Sequence, residues 1–485
     1  MRERVTLILG PEAASQIDPS ALKVRPSGQE VAVGPLRSAV VRQHRLTLTL
    51  DELPADLGGI LRGVEAVRLR WASEAVYDSL EPFCSRTSPG LWVSLTALTG
   101  DWRPLLAFTH ANIGGRPSLV FYQLIDNLLP FTSWAERQFC RESDTVCHKL
   151  LQSFDAVSLD ISFDSSDDNL LRVAAHGALK EQEEELTVSA SGNRRTEIGI
   201  FTKDEPPNIG PFEMGLGGFL TVVGEHKEPS PTLFAFPSRH RLSGASFSSA
   251  FLSPTGLHPT LQLNLSTDTL PAEKALAATG DVECKPYAHL TLPKAVFADR
   301  YQLQDELLLA SKNLTALRHS SRPVDLEAPE YATKTWGSTV LLELAPPAPR
   351  TGKPWSAQVP LHVRYLRPTA TGYADVQVPY PAVFWACSSP SQDALPNFAN
   401  NPFDRLHVGY DSLFDLDRTT FWHVSPVVAA GVGDVDRLVN SLTVPTLGKG
   451  AEAVVRLGTT AVVCLGFAWV LRGVVGSLSG KRRGG

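Results

Sequence analysis

One stretch near the C-terminus constrains the rest of the chain. From Leu457 to Leu478 the sequence reads LGTTAVVCLGFAWVLRGVVGSL, 22 residues with Arg472 as the single charge. As a helix rising ~1.5 Å per residue it would be about 33 Å long, enough to cross a hydrocarbon layer of about 30 Å. The charged flanks and the position near the chain end favour a membrane span over a buried core helix. Arg472 lies about two-thirds of the way along, where its guanidinium can extend toward the nearer headgroups.

Charge sets the expected orientation. Arg472, Lys481, Arg482 and Arg483 lie toward one end of the span, and Lys449 and Arg456 precede it. The positive-inside bias therefore places the short basic tail, residues 479–485, in the cytosol and residues 1–450 in the lumen of the secretory pathway. Two sequons, Asn264-Leu265-Ser266 and Asn313-Leu314-Thr315, are usable for glycosylation only on the lumenal side, which makes Asn264 and Asn313 candidate acceptors. The N-terminus MRERVTLILGPEAAS points the other way, because its apolar run is shorter than a signal-peptide core. A tail-anchored protein with a cytosolic body has the same look; the charge bias favours the lumen.

The body ahead of the span reads as β. Short apolar or alternating runs recur: VTLIL at 5–9, LTLTL at 46–50, VRLRW at 67–71, LWVSL at 91–95, LQLNL at 261–265, AHLTL at 288–292, TVLLEL at 339–344 and ADVQV at 374–378. In VSLDISF, Val157, Leu159, Ile161 and Phe163 share one face, and Ser158, Asp160 and Ser162 share the other, the pattern of a half-buried strand. Asp160, Asp164, Asp167 and Asp168 then read as a strand face and its solvated turn. With 36 Gly and 36 Pro, turns are frequent. Amphipathic helix candidates outside the span are few, the best lying around 301–317. The polar stretches KEQEEE at 180–185 and EHKEPSP at 225–231 suggest surface loops or a linker. The expected architecture is therefore mainly β: an N-terminal β-rich domain over 1–225, an antiparallel β-sandwich-like domain over 245–390, an irregular connector over 391–450, and the C-terminal transmembrane helix.

Signals for chemistry are weak. A net charge of −6 with no basic tract argues against nucleic acid. None of the six cysteines stands two residues from another, so neither a zinc knuckle nor a redox dithiol is indicated. Asp415-Leu416-Asp417 and Asp434-Val435-Asp436 have the spacing that lets two carboxylates hold a divalent metal against a sugar-nucleotide diphosphate, but both fall in the connector with no glycine-rich βα turn nearby. The pairs Gly431/Gly433 and Gly215/Gly217 lack the third glycine of a dinucleotide fingerprint, and Ser246 in GASFS lacks the closing glycine of a nucleophile elbow. No catalytic residue, metal ligand or cofactor is expected. His258, before Pro259, reads as a turn residue. His362 and Arg364 alternate along VPLHVRYL and are expected on one face of a strand, which Arg367 and Tyr373 extend as a candidate partner-binding surface.

Ordered motifs in the second half carry a resemblance. PTGLHPTLQL at 254–263 precedes CKPYAHLTLPKAVFADRYQL at 284–303, then come YATKTWGSTVLLELAPP and VPLHVRYLRPTATGYADVQVPYPAVFWAC at 359–387. With the terminal span, these resemble the PIG-X/PBN family, auxiliary subunits of glycosylphosphatidylinositol (GPI) mannosyltransferase I; the first half is similar to the long fungal members only in character. The resemblance implies a non-catalytic protein of the endoplasmic-reticulum membrane with a lumenal body. Its partner would be a polytopic catalytic subunit that transfers the first mannose onto glucosaminyl-phosphatidylinositol. The fungal branch also suggests an alternative, a membrane-tethered lumenal chaperone with several clients. Cys284 and Cys387 bracket the region where the resemblance is strongest and form a candidate disulfide.

Overall fold

Leu7, Ile8 and Leu9 cannot all face the same side of a strand, and in the strand Arg2–Leu9 they do not. Val5, Leu7 and Leu9 pack under a three-stranded sheet (Leu22–Val24, Glu30–Val33, Leu186–Ser189), while Ile8 points the other way toward Phe83, Phe201 and Phe403. Burial on both faces is what an uninterrupted apolar run requires. The computed structural model describes residues 1–10, 12, 17, 19–97, 110–113, 116–139, 156–166, 169–182, 185–190, 194–204, 208–210, 212–266, 282–321, 325–347, 355–388, 397–428 and 437–480.

Arg2–Leu9 lies inside the larger of the two main sheets. Its central strands run in the order Glu213–Val222, Arg195–Lys203, Arg2–Leu9, Leu36–Thr49, Leu170–Gly177, Ala156–Asp164, Val64–Ala72 and Gly90–Ala97. The strand Ser230–Pro237 forms one edge. The first body therefore extends past residue 225, and the polar stretch expected as a linker is a turn between two of its strands.

The second sheet has eight strands, in the order Leu314–Ser320, Gly337–Leu344, Glu283–Pro293, Ala382–Ser388, Thr419–Pro426, His240–Phe251, Thr260–Leu265 and Trp355–Pro360. Its edges meet, because Gln358 N–H donates to Lys312 O at 2.9 Å and Asn313 Nδ2 to Ser356 O at 2.7 Å. Inside lies a core that includes Leu263, Leu290, Leu342 and Trp385, covered on one side by the ribbon Tyr373–Pro379/Val439–Pro445. Most neighbours are antiparallel. Each sheet also has one parallel pair, Arg2–Leu9 with Arg195–Lys203 and His240–Phe251 with Thr419–Pro426.

Three sequence expectations change. Residues 391–450 are not an irregular connector, since they supply Thr419–Pro426 to the second sheet and Val439–Pro445 to its covering ribbon. The helix expected over 301–317 shrinks to Glu306–Ser311, and LTALRHS forms a strand. Asn313 has φ +55°. In that left-handed conformation, which asparagine tolerates well, it ends the helical run. The run VPLHVRYL is not one regular strand: Trp355–Pro360 ends at Pro360, Leu361 and Val363 N–H go on donating to Pro259 O and Leu257 O at 2.9 Å, and His362–Val363 pairs with Val296–Phe297. The apolar C-terminal stretch is a helix, Lys449–Gly480, which starts eight residues before the expected span; none of its most apolar stretch packs against the body.

Candidate functional site

His362 sits in a small aromatic and polar cluster. Its ring stacks on Phe297 with centroids 5.3 Å apart, Nε2 lies 3.0 Å from Gln302 Oε1, and Nδ1 lies 3.0 Å from His258 Nδ1. Two ring nitrogens that close share one proton between them. Burial and the neighbouring His258 both lower the His362 pKa. The strand pairing stops at Val363, so the alternation that would have put Arg364 beside His362 on a surface also stops. Arg364 is buried instead. Its Nη1 donates to Ala328 O at 2.7 Å and its guanidinium lies 4.5 Å from the Phe297 ring centroid. The expected polar face of His362 and Arg364 is thus not a surface; Arg364 is an internal clasp.

Arg367 and Tyr373 are exposed and lie elsewhere, at the foot of the terminal helix. Tyr373 pairs with Pro445, four residues before the helix begins. Thr369 is the hub of this junction: its N–H donates to Leu447 O at 3.0 Å, its carbonyl accepts from Lys449 N–H at 2.9 Å, and its hydroxyl lies 2.7 Å from that of Thr446. Thr446 N–H in turn donates to Gly372 O at 2.7 Å. The helix leaves the body through a hydrogen-bonded clamp rather than a linker. The Arg367 guanidinium lies 5.5 Å from the Tyr331 ring centroid.

The two sequons differ in setting. Asn313 is exposed after the short helix, whose first turn is capped by the Asp305 carboxylate accepting from Leu307 and Leu308 N–H. Asn264 is half-buried in Thr260–Leu265, between two neighbouring strands, and its Oδ1 accepts from Gln262 Nε2 at 2.7 Å. Cys284 and Cys387 are direct cross-strand partners and are joined as a disulfide that spans 103 residues of sequence.

The residues that join the two bodies had no signature in the sequence. Segment 397–418 inserts Phe403 into the first body's core and lays Val408 and Tyr410 on the outer face of the second sheet. Several of its polar groups find partners across the seam. Arg405 Nη2 donates to Asp160 Oδ1 at 3.0 Å, Arg45 Nη1 to Pro402 O at 2.7 Å, and Tyr410 Oη to Arg86 O at 3.0 Å, while Arg70 donates to His407 O. Arg239 pairs with Asp404 at 3.3 Å. His240 lies 3.0 Å from His423 and 2.9 Å from Arg405 O, and burial lowers both histidine pKa values. The only hint of this was the density of charged and ring residues in FDRLHVGYD.

Asp415 and Asp417 are exposed in a turn, where Asp415 Oδ1 accepts from Asp417 N–H at 3.2 Å. Asp434 and Asp436, like Asp167 and Asp168, lie outside the described residues. Among the described residues no three His, Cys, Asp or Glu side chains are grouped to hold a metal ion. Gly215 and Gly217 sit inside the strand Glu213–Val222, not in a phosphate-binding turn.

Known proteins supply the remaining observation. A family model described as PIG-X / PBN1 matches residues 254–475, from the start of the second sheet's motifs through most of the terminal helix. Protein PBN1 of Gibberella zeae is 47% identical, with 97% of this chain and 94% of that protein aligned. Protein pbn1 of Neurospora crassa is 41% identical over 99% of this chain and 96% of its own length, and that of Emericella nidulans is 33% identical over 99% and 97%. Likeness from end to end, including the first body, shows that the chain belongs to the PIG-X/PBN1 family.

Proposed function

We propose that this protein is a non-catalytic, stabilising subunit of the GPI mannosyltransferase I complex of the endoplasmic reticulum. In this reading its partner is the polytopic subunit that adds the first mannose to glucosaminyl-phosphatidylinositol. The observation that carries the proposal is the kinship with PBN1 proteins along nearly the whole chain. The body is placed in the lumen and the basic tail in the cytosol. The charge asymmetry around the helix supports that placement, and a disulfide between Cys284 and Cys387 suits an oxidising compartment. Asn313 and Asn264 are then the candidate glycan acceptors.

The mode of action is linkage. A subunit that binds only the folded form of its partner stabilises it by about 2.7 kcal/mol when present at a hundred times its dissociation constant. For the contact we favour the His362 side of the second body, where exposed Tyr301 and Leu307 flank the His362–Gln302 pair, together with the terminal helix. Depleting the protein while following GPI precursors tests the reading. Accumulation of unmannosylated glucosaminyl lipid is expected. Normal mannosylation with misfolding of many other lumenal proteins would replace the proposal with the chaperone alternative.

A further inference from the structure

We infer that the helix-side end of the second body is a phospholipid-headgroup-binding surface, with Tyr331, Tyr365, Arg367 and Tyr373 seated in the polar layer of the membrane that the terminal helix enters. The inference needs the helix to span a membrane, but it is the same whichever compartment holds the body.

The first observation is the clamp. Thr369 holds both Leu447 and Lys449, and Tyr373 pairs with Pro445, so this end of the body cannot move far from the first turn of the helix. The second is length. The helix has 32 residues, about 48 Å at ~1.5 Å each, whereas the hydrocarbon layer takes only about 30 Å. If the hydrocarbon begins at Leu457, the eight residues Lys449–Arg456, about 12 Å, must cross a polar layer roughly 5–7 Å thick. That leaves the foot of the body about 5–7 Å from the polar layer, inside the reach of an extended tyrosine or arginine side chain. Val454 and Val455 on this collar favour drawing it deeper.

The third observation is what the chain exposes there. Tyr331, Tyr365 and Tyr373 are 51%, 69% and 60% exposed, and among the described residues the only other tyrosine left so open is Tyr301. Tyr331 and Tyr365 adjoin through Glu330 N–H donating to Tyr365 O at 3.0 Å, and Arg367 stands over the Tyr331 ring. Half-polar rings and a guanidinium at the mouth of a span match the chemistry of the membrane interface, where tyrosine concentrates and arginine meets phosphate. Of the acidic groups nearby, Glu330 is paired with Lys294 at 2.5 Å, Asp375 takes the Thr443 hydroxyl at 2.7 Å and Asp325 accepts from Glu327 and Ala328 N–H, while Glu327 is exposed beside the patch and Glu452 lies on the collar.

The test uses the full chain alone in nanodiscs of phosphatidylcholine and phosphatidylinositol. Two photo-reactive phospholipids are compared, one with a headgroup diazirine and one with an acyl-chain diazirine, and adducts are mapped by mass spectrometry. Acyl-chain adducts are expected within Leu457–Leu478. Headgroup adducts are expected on the peptides carrying Tyr331, Tyr365 and Tyr373, severalfold above those carrying Tyr301 and Leu307. The variant Tyr365→Ser/Tyr373→Ser should reduce the adducts on the Tyr331 peptide severalfold. Headgroup adducts confined to the helix overturn the proposal. Absence of acyl-chain adducts on the helix would remove the span and the proposal with it.

Discussion

At Arg405 one side chain grips the first body at two points, donating to Asp160 on its central strand and to Ser85 O on a neighbouring loop, while the Arg405 carbonyl lies 2.9 Å from His240 Nε2 of the second sheet. Burial disfavours its charge, yet the Asp160 carboxylate holds its pKa above the ordinary value. Removing one member of such a pair strands the other. Arg405→Met is therefore expected to cost about 3–5 kcal/mol, read as a lower urea midpoint for the full chain in micelles. Adding Asp160→Asn should recover part of that loss, and a strictly additive double variant would contradict the coupling. In the sequence, Asp160 looked like a solvated strand position. The alternation in VSLDISF is real, but on its polar face Ser158 meets His176 and Asp160 meets Arg405, and no local pattern encodes which polar face a distant segment will cover.

Among the elements, the strands were the most legible. Ala382–Ser388 shows why: Val383, Trp385 and Cys387 enter the inner core, while Ala382, Phe384 and Ala386 pack under Val408 and Tyr410. Its apolar run thus records burial on both faces. The disulfide ties this strand to Glu283–Pro293 at its end. A crosslink that closes a loop of about 100 residues stabilises by about 4–5 kcal/mol in the chain-entropy account. The double variant Cys284→Ser/Cys387→Ser should lose an amount of that order in thermal or urea unfolding of the full chain, with the wild type matching it under reductant. Misread elements failed for local reasons that are clear in hindsight. Pro259, opposite Leu361, accepts that residue's N–H but has none of its own to return, and Asn313 turns left-handed where the helix was expected to run on.

The whole molecule carries several histidines that its interior keeps neutral. Burial lowers the His176 pKa to about 4 and that of His289 to about 3, while Arg405 and Asp160 face the first, and Arg70, His319 and Asp411 the second. In the unfolded chain both titrate near 6.5, so between the folded and unfolded values the unfolded state binds more protons. Stability should therefore be level above about pH 6.5 and fall on acidification, by about 2 kcal/mol per histidine at about pH 5. Denaturant titration of the full chain across that range checks the sign, and His176→Gln should flatten the slope. A flat wild-type profile would rule out neutral burial.

By itself the sequence determined the class of fold, the apolar terminal helix and the family. Each of these is written in local periodicity, in an unbroken apolar length, or in motifs a few residues long. Only the tertiary structure decided that Thr419–Pro426 joins the second sheet and that segment 397–418 binds it to the first, that Arg364 turns inward, and that the body is clamped to its helix at Thr369. Those outcomes depend on which faces meet across hundreds of residues, and burial of that kind is a property of the packed chain, not of any window within it.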